Sequence, residues 1–236
     1  MLLALTKLAD LIRGLQWPRV SWSYSALTSF ENCELNYGAV TFRHTYPFET
    51  SGPLEAGKEA HKKLEDYISL GRPVPPGLVG ITGVIDKMVV GAQQVTGEQS
   101  LNCTYDLKPC GWNHDHVSLR SKIDLTIQRS DNQSIIVDYK TSSEPREDFE
   151  QLELNALIHF LHNPEVKRCH CYYLYSKGFK PRKTIVDRDE VPKIVTSYIP
   201  RLQRLLTARE TNTFRATPYY GCKWCPVITC HHNPKR

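Results

Sequence analysis

The sequence holds no apolar run approaching the ~18 residues of a membrane-spanning helix, and no membrane partner is expected. It has no G-x-x-x-x-G-K-[ST] phosphate loop, so no nucleotide-driven motor is written into it, and any helicase is expected as a separate chain. Internal repeats and low-complexity tracts are absent as well. Charge of one sign is scarce: 30 Lys and Arg against 25 Asp and Glu leave a net charge of +5. So mild an excess permits a nucleic-acid partner without demanding one, because local clustering counts for more than the total. The order of an export signal is missing too. Met1-Leu2-Leu3-Ala4-Leu5 is apolar, but Lys7, Asp10 and Arg13 interrupt it and no basic stretch precedes it. An amphipathic helix over 3–15 in a cytoplasmic protein is the expectation, with a mitochondrial presequence as the lesser alternative, weakened by Asp10. Without export, the eight cysteines read as reduced thiols, metal ligands or core residues and not as disulfides.

What is present is ordinary globular material. The 236 residues, 40% hydrophobic and 23% charged, suffice for a real core and fit one large domain or two small ones. After Trp17-Pro18, a cap-rich stretch at Ser21–Ser25 leads into a helix expected from about Ser25 to Val40. A loop over Pro47–Pro53 precedes a helix from about Leu54 to Leu70. Arg72–Pro76 breaks the chain before a helix near Leu78–Val90. Strands follow at Gln94–Tyr105, Val117–Gln128 and Ser134–Tyr139, the last two joined by a turn at Ser130–Gln133. A helix at Glu147–Leu161, strands at Arg168–Tyr175 and Thr184–Val186, and a helix over Asp189–Arg209 interrupted at Pro200 complete the order. Helices first, then mixed strands and helices, argue for one α/β domain with a central mixed sheet. Within 1–236 the expected parts are an N-terminal helix (1–20), a helical region (21–92), a sheet core (93–187) and a helix with a cysteine-rich tail (188–236).

The most informative stretch runs from Lys122-Ile123-Asp124-Leu125 to Val137-Asp138-Tyr139-Lys140. As an antiparallel hairpin turning at Asp131, it sets Asp124 opposite Asp138, within one residue of register. Lys140 lies two residues on and points to the same face as Asp138. Opposed carboxylates repel unless a cation sits between them, and hard oxygen donors suit Mg²⁺ or Mn²⁺. An amine beside a metal-bound water completes the equipment for phosphodiester hydrolysis. A solvated pair of aspartates beside a solvated lysine is the plainer alternative. It is disfavoured by Ile135-Ile136-Val137, which mark a central strand.

These residues resemble the PD-(D/E)xK nuclease superfamily, in particular its RecB-like exonuclease branch, which includes CRISPR-associated and AddB-type nuclease domains. Asp124 matches the first acid of a "G-x-I-D" element, with Ser121 in place of the glycine. Asp138-Tyr139-Lys140-Thr141 matches "D-Y-K-T". Gln151 matches the glutamine of the following helix. The tyrosine often found four residues later is Asn155 here and inherits no role. Gly57-Lys58-Glu59-Ala60-His61 is similar to the "G-x-x-x-H" helix whose histidine joins the metal site, and Ser21–Leu35 is similar to an N-terminal "S-x-S-x-L…C" element. Glu98 falls loosely where the family places another acid; an exposed strand residue is its default. The resemblance implies a restriction-endonuclease-like core and a Mg²⁺- or Mn²⁺-dependent DNA exonuclease acting on single-stranded ends, in DNA repair or recombination. Asp124, Asp138 and His61 would hold metal, Lys140 would position or activate water, and Gln151 would support the site. A non-catalytic nucleic-acid-binding or assembly module of the same fold is the rival.

Cys222, Cys225 and Cys230 supply three thiols in nine residues, and two-residue spacing lets a pair reach one metal. A fourth ligand must come from elsewhere. The resemblance implies Cys33 and a [4Fe–4S] cluster that would clip the two helical, cysteine-bearing ends together. Zinc, with His231 or His232 recruited, and no metal at all remain open. Cys169 and Cys171 share a strand face and are expected in the core; Cys103 and Cys110 fit no pattern. For DNA, the basic cluster Lys177, Lys180, Arg182 and Lys183 is the first candidate for phosphate contacts, and Lys193, Arg201, Arg204 and Arg209 on the late helix the second. Trp22 and Tyr24 are weaker candidates for stacking on a base. Tyr172, Tyr173 and Tyr175 read as sheet packing.

Overall fold

The computed structural model describes residues 12–48, 52–142, 145–178 and 180–236, with Pro53 as backbone only. The helix expected over 3–15 therefore lies largely outside the described residues, of which 12–14 form a turn. The helices are α1 (Tyr24–Asn32), α2 (Glu34–Tyr37), α3 (Gly52–Leu70), α4 (Val79–Val89), α5 (Glu150–His162) and α6 (Val191–Glu210). The strands are β1 (Gln94–Thr104), β2 (Pro109–Cys110), β3 (Val117–Gln128), β4 (Gln133–Lys140), β5 (Arg168–Tyr175) and β6 (Arg182–Asp187). They form one sheet in the order β2-β1-β3-β4-β5-β6. Neighbours are antiparallel except β4 and β5. A parallel pair needs a crossover, and α5 supplies it. The result is the expected α/β architecture, a mixed sheet flanked by helices. No helix among the described residues is long and apolar enough to cross a membrane.

Two apolar clusters cover the sheet. One gathers α5 (Leu152, Leu157, Phe160), α6 (Leu202, Leu205) and α1 (Leu27, Phe30) against Leu119, Ile123, Ile136, Cys169 and Cys171. The other sets Leu64 of α3 and Ile81 and Ile85 of α4 on Leu125, Ile127, Ile135 and Val137. Ile135, Ile136 and Val137 are thus buried on both faces of a central strand, as an unbroken β-branched run requires. From Leu154 to Leu161 α5 is buried on every side because it lies between the sheet and α6.

Two expected helices differ in detail. The Ser25–Val40 helix breaks at Cys33, which is extended (φ −160°, ψ 107°) between α1 and α2 and is followed by a π-helical turn, Gly38–Phe42. The cause is tertiary. Leu35 N–H donates to Arg215 O at 2.9 Å, and the Phe214 ring sits where a Cβ on Gly38 would be, 2.5 Å away. The returning tail therefore sets the backbone here. α6, by contrast, runs through Pro200 without interruption. Pro200 and the Thr196 carbonyl it leaves unpaired lie on the solvent side, where water satisfies the acceptor.

Behind β4, His159 is 1% exposed. Asn163 Nδ2 donates to its Nδ1 (3.2 Å), and its Nε2–H donates to Ser134 Oγ (2.9 Å). Burial, reinforced by the nearby His162 and Arg188, pushes its pKa down to about 4. A base whose folded pKa is depressed contributes stability above its unfolded pKa and loses it as pH falls toward the folded value. Between pH 6.5 and 4 this group should remove up to about 3 kcal/mol. Urea denaturation across that window should show the stability of wild type relative to His159→Gln dropping as pH falls; a constant difference would contradict the assignment.

Candidate active site

The β3–β4 ladder ends at Leu125↔Val137, so Asp124 and Asp138 occupy the next rung, beyond the last bonded pair. The expected register is the observed one. Side-chain alternation also breaks here. Ile123 packs with the α5 cluster, whereas Leu125, two residues on, packs with the α3–α4 cluster. Strand alternation would send both to one face, so β3 turns over at Asp124 as it parts from β4. Tyr139 N–H donates to Asp124 Oδ2 at 2.7 Å and fixes the carboxylate across the gap.

α3 brings the histidine. Gly57 passes the end of β4 so closely that a Cβ would stand 3.1 Å from Thr141 Oγ1. One turn later His61, on the same helix face, places Nδ1 3.0 Å from Asp124 Oδ1. Burial pulls the His61 pKa down, but the Asp124 hydrogen bond and the charges of Asp124 and Asp138 outweigh it, and the net direction is up.

Lys140 and Gln151 complete the group. Lys140 Nζ donates to Gln151 Oε1 (2.8 Å), and Gln151 Nε2 donates to Asp138 Oδ1 (2.6 Å). Nζ also stands 2.6 Å from Asp138 Oδ2. That contact is ionic but off the hydrogen-bond direction, and among the described residues the buried Oδ2 has no hydrogen-bond donor. Asp138 is 4% exposed. Burial first, then the like charge of Asp124, pushes its pKa up to about 6 against the pull of Lys140 and His61. A buried carboxylate whose pKa stays raised despite an adjacent ammonium, with a second carboxylate beside it, is a place that a further cation would stabilise.

These side chains face one open cleft of about 1360 Å³. Lys58, Lys62, Lys122 and Lys177 stand on its walls; Lys62 pairs with Glu65 and Lys122 with Glu98, so Lys58 and Lys177 are the wall lysines best placed for a polyanion. Of the basic cluster after β5, only Lys177 is brought to the cleft. Arg182 donates to Glu147 O and covers the Phe149 ring, while Lys180 and Lys183 are exposed away from the lining. Glu98 reaches the rim, paired with Lys122 at 2.7 Å. The late-helix arginines are not a phosphate grip. Arg201 clamps Glu31 and Glu150, Arg204 pairs with Glu34, and Arg209 donates to Tyr37 Oη and Ser21 O. Trp22 is 3% exposed and cannot stack on a base. Tyr220, which carried no expectation, lines the cleft.

Among the described residues no three His, Cys, Asp or Glu side chains close into a ready-made metal site. The donors nevertheless fit a hard divalent cation: two carboxylates and an imidazole from three adjacent elements, with one buried carboxylate oxygen lacking a donor. Cys33, Cys222, Cys225 and Cys230 are free thiols lining one small cavity with Asn36 and Tyr219. Asn36 Nδ2 donates to Cys225 Sγ (3.2 Å) and Tyr219 N–H to Cys222 Sγ (3.4 Å). Cys169 and Cys171 are buried in the core. Where the sequence carries Ser121 and Asn155 in place of glycine and tyrosine, the two meet: Ser121 Oγ donates to Asn155 Oδ1 at 2.8 Å.

Residues 84–230 match the family model of the PD-(D/E)XK nuclease superfamily. The fold is similar to the crystal structure of a "Putative exonuclease" from Eubacterium rectale, at 14% identity and a TM-score of 0.51, covering 91% of this chain and 88% of that one. The solved structure of SSO0001 aligns over 98% of this chain and 96% of its own at 13% identity, with a TM-score of only 0.42. A search of curated proteins finds no match.

Proposed function

Because the chain belongs to the PD-(D/E)XK nuclease superfamily, we propose that it is a Mg²⁺- or Mn²⁺-dependent deoxyribonuclease that removes nucleotides from the ends of single-stranded DNA. The observation that carries the reading is the convergence of Asp124, Asp138, Lys140, His61 and Gln151 on one lysine-walled cleft. Asp124, Asp138 and His61 would hold the metal. When bound, the metal supplies Lewis-acid polarisation of the scissile phosphate and a more acidic water. Lys140, held by Asp138 and Gln151, positions the attacking water through Nζ and offsets charge developing on the phosphate. Gln151 ties the lysine to the carboxylate and keeps both in one geometry. His61 restrains Asp124, and Tyr139 N–H does so from the other side. Lys58 and Lys177 are placed to hold phosphates of the substrate strand. The single-strand and exonuclease parts draw on the RecB-like motifs, and such a substrate would be supplied by a separate strand-separating or recombination protein.

The same reading makes the chain one nuclease unit, its tail clipped to α1 and α2 by a [4Fe–4S] cluster on Cys33, Cys222, Cys225 and Cys230. Its support is the shared cavity and the two N–H···S bonds, which suit thiolate ligands. Freshly purified protein should be brown, with about four irons and four labile sulfides per chain; zinc without iron would overturn the cluster. For the activity, end-labelled linear single strands should shorten stepwise in Mn²⁺, blocked at one end or the other to give polarity, while circular single strands survive. Cleavage of the circle would overturn the exonuclease part.

A further inference from the structure

We propose that Tyr220 and Trp224 form a base-stacking platform for the unpaired strand that threads into the catalytic cleft, resting on the nuclease reading above. Both lie on the 3₁₀ turn Tyr220–Trp224. Tyr220 is 79% exposed, the most exposed large hydrophobic side chain among the described residues, and Trp224 is 57% exposed. Rings in water at a concave site are ready to meet a ligand.

Continuity identifies the ligand. Tyr220 lines the catalytic cleft together with His61, Asp124 and Asp138. It also lines an adjoining groove of about 660 Å³, which holds Trp224, Tyr24, Phe48 and Arg146. Leu54 and Gln151 border both spaces. A chain leaving the metal-side residues past Gln151 meets Tyr220 and then Trp224. The cleft offers Lys58 and Lys177 for phosphates, and Lys223 Nζ lies 4.0 Å above the Trp224 ring. Rings alternating with cations suit an unpaired strand, whose bases present their π-faces; a duplex hides them. The rings also brace one another edge to face: Tyr219 to Tyr220 at 5.5 Å and Tyr220 to Trp224 at 6.5 Å between centroids. The turn is anchored by Cys222 N–H donating to Tyr219 O and Cys225 N–H donating to Cys222 O. The platform is thus carried on a turn that contains Cys222 and is capped by Cys225.

The test is binding in chelator, where nothing is cleaved. Fluorescence anisotropy compares a labelled thymidine oligonucleotide with one whose central bases are replaced by abasic linkers. Wild type should bind the intact strand roughly ten- to a hundredfold tighter than the abasic one. Tyr220→Ala and Trp224→Ala should each weaken the intact strand by roughly five- to tenfold and leave the abasic strand alone. Tyr220→Phe should restore wild-type binding and Tyr220→Leu should not, which separates a π-face from mere bulk or misfolding. KM for cleavage in Mn²⁺ should rise with the dissociation constant. If the double alanine variant binds both strands as wild type does, the platform is wrong and the rings serve another surface, such as a protein contact; continued cleavage by wild type would leave the nuclease reading standing. Base discrimination without any cleavage would overturn the nuclease reading and keep the platform.

Discussion

Lys140→Ala should lower the rate of DNA cleavage by roughly a thousandfold or more, within the range for a group that positions a reactant and meets developing charge. The residue is placed for that effect. Its ammonium touches Asp138 and Gln151 at 2.6 and 2.8 Å, and its side chain is only 16% exposed. Removing it leaves Asp138 buried with less positive charge near, and the carboxyl's preference for its proton increases. Loss of the ammonium also removes a competitor for any cation at the carboxylates, so the variant should still load Mn²⁺ while turning over more slowly. Saturating metal should therefore not restore the rate. Circular dichroism and the denaturation midpoint should stay close to wild type, because the core on either side of β4 is untouched. Recovery of more than a tenth of the wild-type rate at saturating Mn²⁺ would contradict the role given to Lys140.

The second large effect is a competition between protons and metal. The Asp138 carboxyl has its folded pKa raised from 3.8 to about 6. A carboxyl in that state is more stable protonated when folded, so its contribution to metal-free stability falls as pH rises from about 4 toward 6, by up to about 3 kcal/mol. His61, raised as well, adds stability that is full below its unfolded value and is lost as pH rises through the folded one. On the proposed reading, both groups would release a proton when a cation binds. Mn²⁺ affinity should then drop below pH 6, by roughly tenfold per unit for each proton displaced. Calorimetry in buffers of different ionisation enthalpy would count the protons. Asp138→Asn should abolish the carboxyl's share of the slope, so that between pH 4 and 6 its metal-free stability should rise more steeply with pH than wild type's, in which the Asp138 and His159 contributions oppose each other. A pH-independent affinity for Mn²⁺ would contradict the assignment of Asp138 as a ligand.

The acidic hairpin was legible because strands impose a short, fixed spacing. Once the turn is set near Asp131, Asp124, Asp138 and Lys140 can share one edge of the sheet without knowledge of anything else in the chain. Gln151 was legible through the resemblance to the glutamine of the following helix. His61 was legible only through the resemblance of Gly57–His61 to a G-x-x-x-H helix, and the structure supplies the reason for the glycine in the 3.1 Å approach to Thr141 Oγ1. Contacts across long separations were not legible. Glu31 and Arg201 are 170 residues apart, so the arginines of α6 read as a wet face until α1 is packed against it. The break at Cys33 depends on Arg215 and Phe214, which local helical periodicity cannot register. Tyr220 becomes part of the cleft only because the tail folds back over α1 and α2. Ser121 and Asn155 each look like a lone departure in sequence, and only contact reveals them as a matched pair.

The central claim is that Asp124, Asp138 and Lys140 make this cleft a metal-dependent phosphodiesterase. The most direct measurement incubates wild type and Asp138→Asn with an end-labelled single-stranded oligonucleotide in Mn²⁺, in Mg²⁺ and in chelator, and follows the label by gel. Wild type should shorten the strand with a divalent ion and not with chelator, and the variant should leave it intact in all three. Cleavage that survives the chelator, or that is undiminished in Asp138→Asn, would contradict the account.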